Sequence, residues 1–225
     1  MLNPISTYRI QFNKDFTLKN LESILPLLQE FGVKSIYASP IFEAVPGSNH
    51  GYDVVNPNQI NPELGTLADL RRISVQLKAL GMFWIQDIVP NHMGFHHLNS
   101  WLMDVLKNGE ASAYRNYFDI LTPDLNKEPL MVPFLGDDLE QVIENGELEL
   151  IENEGEWFLK YHDSYWPLKP DTSLKKPLQA IVAEQYYRLC SHKESNERIN
   201  YRRFLTLIIS SLKNCWMKVF FKVCG

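Results

Sequence analysis

Three short runs of strand-forming residues, separated by two repeats of helix length, fill the first ninety positions and leave this chain few ways to fold. Residues 6–12 (STYRIQF) mix β-branched and aromatic side chains with polar ones, and residues 33–38 (VKSIYA) form a second such run. Residues 82–89 (MFWIQDIV) are almost continuously apolar, which predicts a parallel strand covered on both faces. Between these runs Leu18, Leu21, Leu25, Leu28 and Phe31 recur at helical spacing, with Thr17 as N-cap and Gly32 just past the end. Leu67, Leu70, Ile73, Leu77 and Leu80 repeat the pattern between Thr66 and Gly81. Pro26 inside the first repeat predicts a break or kink there. Strand–helix alternation on this scale implies βαβ units and a parallel sheet. Right-handed crossovers then bring the ends of all three strands to one rim. That rim is where α/β folds carry their chemistry, and the Gly/Pro-rich residues 39–64 and 90–99 fall on it.

The alternation stops near residue 93. Residues 94–200 predict a helix over 100–108, hairpin-like strands over 147–161 with turns at Gly146-Glu147 and Glu154-Gly155, and a helix over 177–188. This is the pattern of an inserted subdomain. Residues 1–197 carry 16 Lys/Arg against 27 Asp/Glu, whereas residues 198–225 carry six basic side chains and no acidic one. A net charge of −5 argues against a nucleic-acid partner, which would need a basic face to neutralise phosphates. Residues 204–224 (FLTLIISSLKNCWMKVFFKVC) are apolar, but Lys213, Lys218 and Lys222 interrupt them too often for a membrane span. The three cysteines suggest neither a disulfide framework nor a zinc site, and no cofactor or metal is expected. With no signal-peptide pattern at the start, a reducing, cytoplasmic setting is the expectation.

Two clusters carry candidate chemistry. In PGSNHGYDVVNPN, His50, Tyr52 and Asp53 place an imidazole, a phenol and a carboxylate within four residues. Such a trio suits a polyhydroxylated ligand, since an aromatic face packs on sugar C–H groups while a carboxylate accepts from hydroxyls. A loop whose Tyr packs and whose Asp caps a turn would read the same way. The second cluster is Asp87, Asn91 and His92. A carboxylate ending an apolar strand is costly unless it is paired or functional, and Pro90, Asn91 and His92 follow it on the presumed rim.

These residues resemble the α-amylase superfamily of glycoside hydrolases, whose first signature is an Asp-x-x-x-Asn-His run after the third barrel strand. Within it, the chain is similar to the maltooligosyl trehalose synthase family. STYRIQF, YASPIFEAVPGSNHGYDVVNPNQINPELG, QDIVPNHM, WLMDVLKNGEASAYRNYFDI, VPFLG, ENGELEL and INYRRF stand in that family's order, over roughly residues 4–204. The resemblance implies an α/β fold, the N-terminal part of a (β/α)8 TIM barrel with an inserted subdomain after the third strand and the barrel incomplete. Residues 1–93 would hold the first three βα units and 94–203 the insertion. It also implies an enzyme that moves the reducing-end glucose of a maltooligosaccharide from an α-1,4 to an α,α-1,1 linkage by intramolecular transglucosylation. Tyr52 would stack under the sugar at the cleavage point. His50, Asp53, Asp87 and His92 would bind and orient it, and Asn91 would support the loop.

The sequence departs from that family after residue 203. The superfamily's nucleophile lies in an Arg-x-Asp motif after the fourth strand, and its acid Glu follows the fifth strand; neither is found here. The expectation is that the reading frame is lost near Phe204, that residues 204–225 are off-frame, and that the chain is an inactive fragment. A fragment of an α-amylase-type hydrolase and a non-catalytic maltooligosaccharide-binding module remain alternatives, and the oligomeric state is not legible.

Overall fold

A computed structural model describes residues 5–194 and 199–201, so residues 204–225, and the expectation about their reading frame, lie outside the described residues. The chain divides into two compact units, with the boundary between Gly94 and Phe95.

The first unit runs β1 (Thr7–Ile10), α1 (Leu18–Glu30), β2 (Ser35–Ala38), β3 (Phe42–Ala44), β4 (Val54–Ile60), α2 (Leu67–Ala79) and β5 (Phe83–Gln86). Strands β1, β2 and β5 form a parallel sheet in that order, so two helical crossovers join three neighbouring strands as a barrel begins. The strands stop at one level: Ile10 pairs with Ala38, and Ala38 with Gln86. The residues that follow them share a rim. Leu18, Leu21, Leu25 and Leu28 of α1 and Leu70, Ile73 and Leu77 of α2 are buried with Ile10 and Ile36 in one apolar cluster. Each such side chain contributes about 1.5–3 kcal/mol of burial, and this is what fixes the helices on the sheet.

The helix expected to break or kink at Pro26 is unbroken there. Pro26 lies on its exposed face, where water can meet the carbonyl that loses its intrahelical donor. At the start of α2, Thr66 and Asp69 cap each other: the Asp69 N–H donates to Thr66 Oγ1 at 3.2 Å, and the Thr66 N–H donates to Asp69 Oδ2 at 2.7 Å. The Thr66 hydroxyl, together with Arg72, lowers the Asp69 pKa to about 2. A depressed carboxylate stabilises the fold fully above its unfolded pKa and loses that contribution as pH falls through the folded value. Asp69→Ala is therefore expected to cost about 1 kcal/mol near neutrality. The difference in urea midpoint between the two proteins should shrink as pH falls from 4 toward 2; an offset unchanged across that interval would contradict it.

Two elements depart from expectation. Residues 39–64 are not all loop, because β3 and β4 pair antiparallel with two register shifts. Strand β5 is not covered on both faces: Phe83 is 42% exposed, and Trp84, Ile85 and Gln86 are half-buried. It pairs only with β2 among the described residues, and so forms an edge of the sheet.

The second unit runs α3 (Ser100–Asn108), β6 (Leu130–Leu135), α4 (Leu139–Glu144), β7 (Leu148–Asn153), β8 (Glu156–Tyr161), β9 (Ser164–Pro167), α5 (Leu178–Ala183) and β10 (Tyr187–Ser191). Helix α3 and the β7–β8 hairpin fall where the sequence places them, and β9 extends the hairpin to three antiparallel strands. The helix expected over 177–188 ends at Ala183, after which β10 pairs in parallel with β6. Buried Tyr187 and Leu189 find their partners across that pairing, which local periodicity does not see. No helix among the described residues is long and apolar enough to cross a membrane.

Candidate functional site

The rim of the first unit gathers side chains from three separate segments. Asp87 directly follows β5, and its N–H is held by the Ala38 carbonyl at 2.9 Å. The Tyr52 hydroxyl donates to Asp87 Oδ2 at 2.6 Å. Arg9, on β1, lies 3.8 Å from the same carboxylate oxygen and 3.5 Å from the Tyr52 hydroxyl. Its guanidinium also sits over the Tyr37 ring at 5.0 Å. The Tyr52 hydrogen bond and the neighbouring phenols raise the Arg9 pKa above its ordinary value, so its charge is permanent. Phenol, carboxylate and guanidinium form one hydrogen-bonded group, which holds the Tyr52 ring in place.

The loop before Tyr52 is built to the same end. Gly51 has φ +74°, and a Cβ there would lie 2.8 Å from the Pro40 carbonyl oxygen, so only glycine lets the chain pass. Ser48 Oγ donates to Asp53 Oδ1 at 2.5 Å and accepts from the Gly51 N–H at 3.1 Å. His50 Nδ1 accepts from the Tyr52 N–H at 3.0 Å and lies 3.7 Å from Asp53 Oδ1. Glu63 accepts the Gly47 N–H with both carboxylate oxygens at 3.1 Å, tying the far end of the loop to the body of the unit. Gln11 Nε2 donates to the Asn49 carbonyl at 3.2 Å and binds the loop to β1.

His92 reaches the same loop from the other side. It hydrogen-bonds the Tyr52 backbone, and burial lowers its pKa, so the ring is neutral near pH 7 and can both donate and accept. Asn91 Oδ1 lies 3.1 Å from His92 Nδ1. The structure thus places all six sequence-nominated residues on one rim. Tyr52 is joined directly to Asp87 and His92, and Asp53 is linked to His50 through Ser48. Arg9, Ser48 and Gln11 escaped the sequence reading. The only signal for Arg9 was its place near the end of a strand whose register was not yet known. Among the described residues no three His, Cys, Asp or Glu side chains converge as metal ligands would.

What the rim can do chemically is grip a ring-shaped polyol, with an aromatic face flanked by fixed donors and acceptors. The model of the α-amylase catalytic domain matches residues 12–178. The chain belongs to the α-amylase family. A Mycobacterium tuberculosis protein provisionally named maltooligosyl trehalose synthase is 36% identical over 210 residues, covering 90% of this chain and 26% of its own length. A crystal structure of a maltooligosyl trehalose synthase superposes with a TM-score of 0.89 at 35% identity, covering 97% of this chain and 30% of that one. The enzyme from Arthrobacter ramosus gives 0.84 at 30% identity, over 97% and 29%. The chain therefore spans about a quarter to a third of the relatives it matches. Its three-stranded open sheet is the corresponding part of an incomplete barrel.

Proposed function

We propose that the chain carries the sugar-gripping rim of a maltooligosyl trehalose synthase, an enzyme that isomerises the reducing-end α-1,4 bond of a maltooligosaccharide to an α,α-1,1 bond. Residues 1–93 contribute the first three βα units of the catalytic barrel and residues 94–203 the inserted subdomain, in a cytoplasmic protein. The observation that carries this reading is the clamp on Tyr52. A phenol locked by Asp87 and Arg9 beside a neutral His92 offers a glucose ring a stacking face and hydrogen bonds in several directions. Asp53 and His50, ordered through Ser48, extend the polar side, and Asn91 steadies His92. These are roles in binding and orientation. The bond-making carboxyl groups of a retaining mechanism, a nucleophile and an acid about 5 Å apart, are not among the residues proposed here. As these 225 residues, the chain binds without turnover. An α-amylase-type hydrolase has the weaker case, because the resemblance to the synthases continues through the second unit.

The test is titration of maltoheptaose into the purified chain by calorimetry. Saturable binding is expected, with Tyr52→Ala and Asp87→Asn each weakening it about tenfold, as an aromatic anchor or its positioning group does. Binding indifferent to both substitutions, or a flat titration, would overturn the proposal.

A further inference from the structure

We infer that the second unit has its own binding site for a single glucose ring of a maltooligosaccharide, centred on Trp157; the choice of ligand rests on the reading above. A cavity of about 190 Å³ opens where α3, β8 and the 167–174 segment meet, which is room for one pyranose. Trp157 lines it and is 38% exposed, unusual for the largest apolar side chain in a unit that buries Trp166 to 1%. An indole left facing water beside polar groups is the arrangement that recognises the C–H face of a sugar.

The polar side of the cavity carries an ion pair and an anchored turn. Lys107 Nζ of α3 donates to Glu156 Oε1 of β8 at 2.5 Å across the mouth. An ion pair of this kind offers a donor and an acceptor at hydrogen-bond spacing, which is what two adjacent ring hydroxyls can bridge. Opposite it, the turn bearing Lys169, Asp171 and Thr172 is anchored from beneath by Gln185, a polar side chain only 2% exposed. Gln185 Oε1 accepts the Lys169 N–H at 2.7 Å, and its Nε2 donates to the Ile181 carbonyl at 2.6 Å. Thr172 Oγ1 donates to the Lys169 carbonyl at 2.9 Å, closing the turn. Asp171 sits at φ +65°, a left-handed conformation that costs a non-glycine residue about 1 kcal/mol or more. Holding a turn in a costly shape beside an exposed indole orders the site before the ligand arrives.

The experiment incorporates 5-fluorotryptophan into the full chain, whose five Trp residues give resolvable 19F signals. Trp157→Phe identifies the Trp157 signal by its loss and keeps a ring in place to guard the fold. Maltoheptaose is expected to shift that signal saturably. It should still do so in Asp87→Asn, whereas Trp157→Ala should remove one of two calorimetric binding events. A Trp157 signal that does not move while Asp87→Asn weakens binding about tenfold overturns this inference and leaves the proposed function standing. A shift with no calorimetric sensitivity to Asp87→Asn supports the Trp157 site and overturns the rim reading. A flat calorimetric titration together with no response at any tryptophan overturns both.

Discussion

Incubated with maltopentaose, the purified chain is expected to leave every reducing end in place. Transfer with retention needs one carboxylate to attack the anomeric carbon and a carboxylic acid to protonate the departing oxygen, the two standing about 5 Å apart. The rim of the first unit offers Asp53 and Asp87, but both are occupied in holding the loop. Asp53 accepts from Ser48 at 2.5 Å, and Asp87 accepts from Tyr52 at 2.6 Å. Rate enhancement below that of a complete relative by roughly a millionfold or more is the expected result, read as no loss of reducing sugar and no new anomeric proton signal. Turnover would overturn it and direct attention to the second unit. There a cavity of about 930 Å³ is walled in part by Glu128, Asp138, Glu140 and Glu194, carboxylates that share a sugar-sized space.

Phe12→Ala is expected to cost about 3–5 kcal/mol, the range for deleting a large core ring. Phe12 is 1% exposed, its ring is 6.2 Å from Trp84 and stacked on it, and its N–H donates to Ser39 Oγ at 2.9 Å. Native domains are stable by only about 5–15 kcal/mol, and a three-stranded sheet with an open edge has less to spare than a closed one. Most of the first unit's urea transition should therefore disappear, while Phe12→Leu keeps much of it. A midpoint shift equivalent to under 1 kcal/mol for the alanine variant would mean that Phe12 does not sit in a packed layer.

The two helices were legible because leucines at i, i+3 and i+4 write their buried face directly into the sequence. The β3–β4 pair was not. Its register slips twice, and Pro57 sits within β4, so no period of two survives to be read. The end of α5 was misplaced for a different reason. Tyr187 to Ser191 become a strand through pairing with β6, more than fifty residues upstream, and no local window contains that partner. Strand β5 looked doubly covered because its composition is that of an interior barrel strand, whereas the burial it shows depends on which neighbours are present. At the rim, Tyr52, Asp53, Asp87, Asn91 and His92 could be named from residue type and spacing. Arg9 could not, because only the register that sets it beside Tyr37 brings it to Asp87.

The clamp that joins Arg9, Tyr52 and Asp87 draws on the first strand, the β3–β4 connection and the end of the third sheet strand, so none of it exists until the whole sheet has formed. Occupancy of the rim is consequently a gauge of cooperative assembly. Any oligosaccharide that settles there favours the organised state by mass action, in proportion to the logarithm of its concentration over its dissociation constant. For a sheet with an open edge, a ligand bound at that rim would add protection against unravelling.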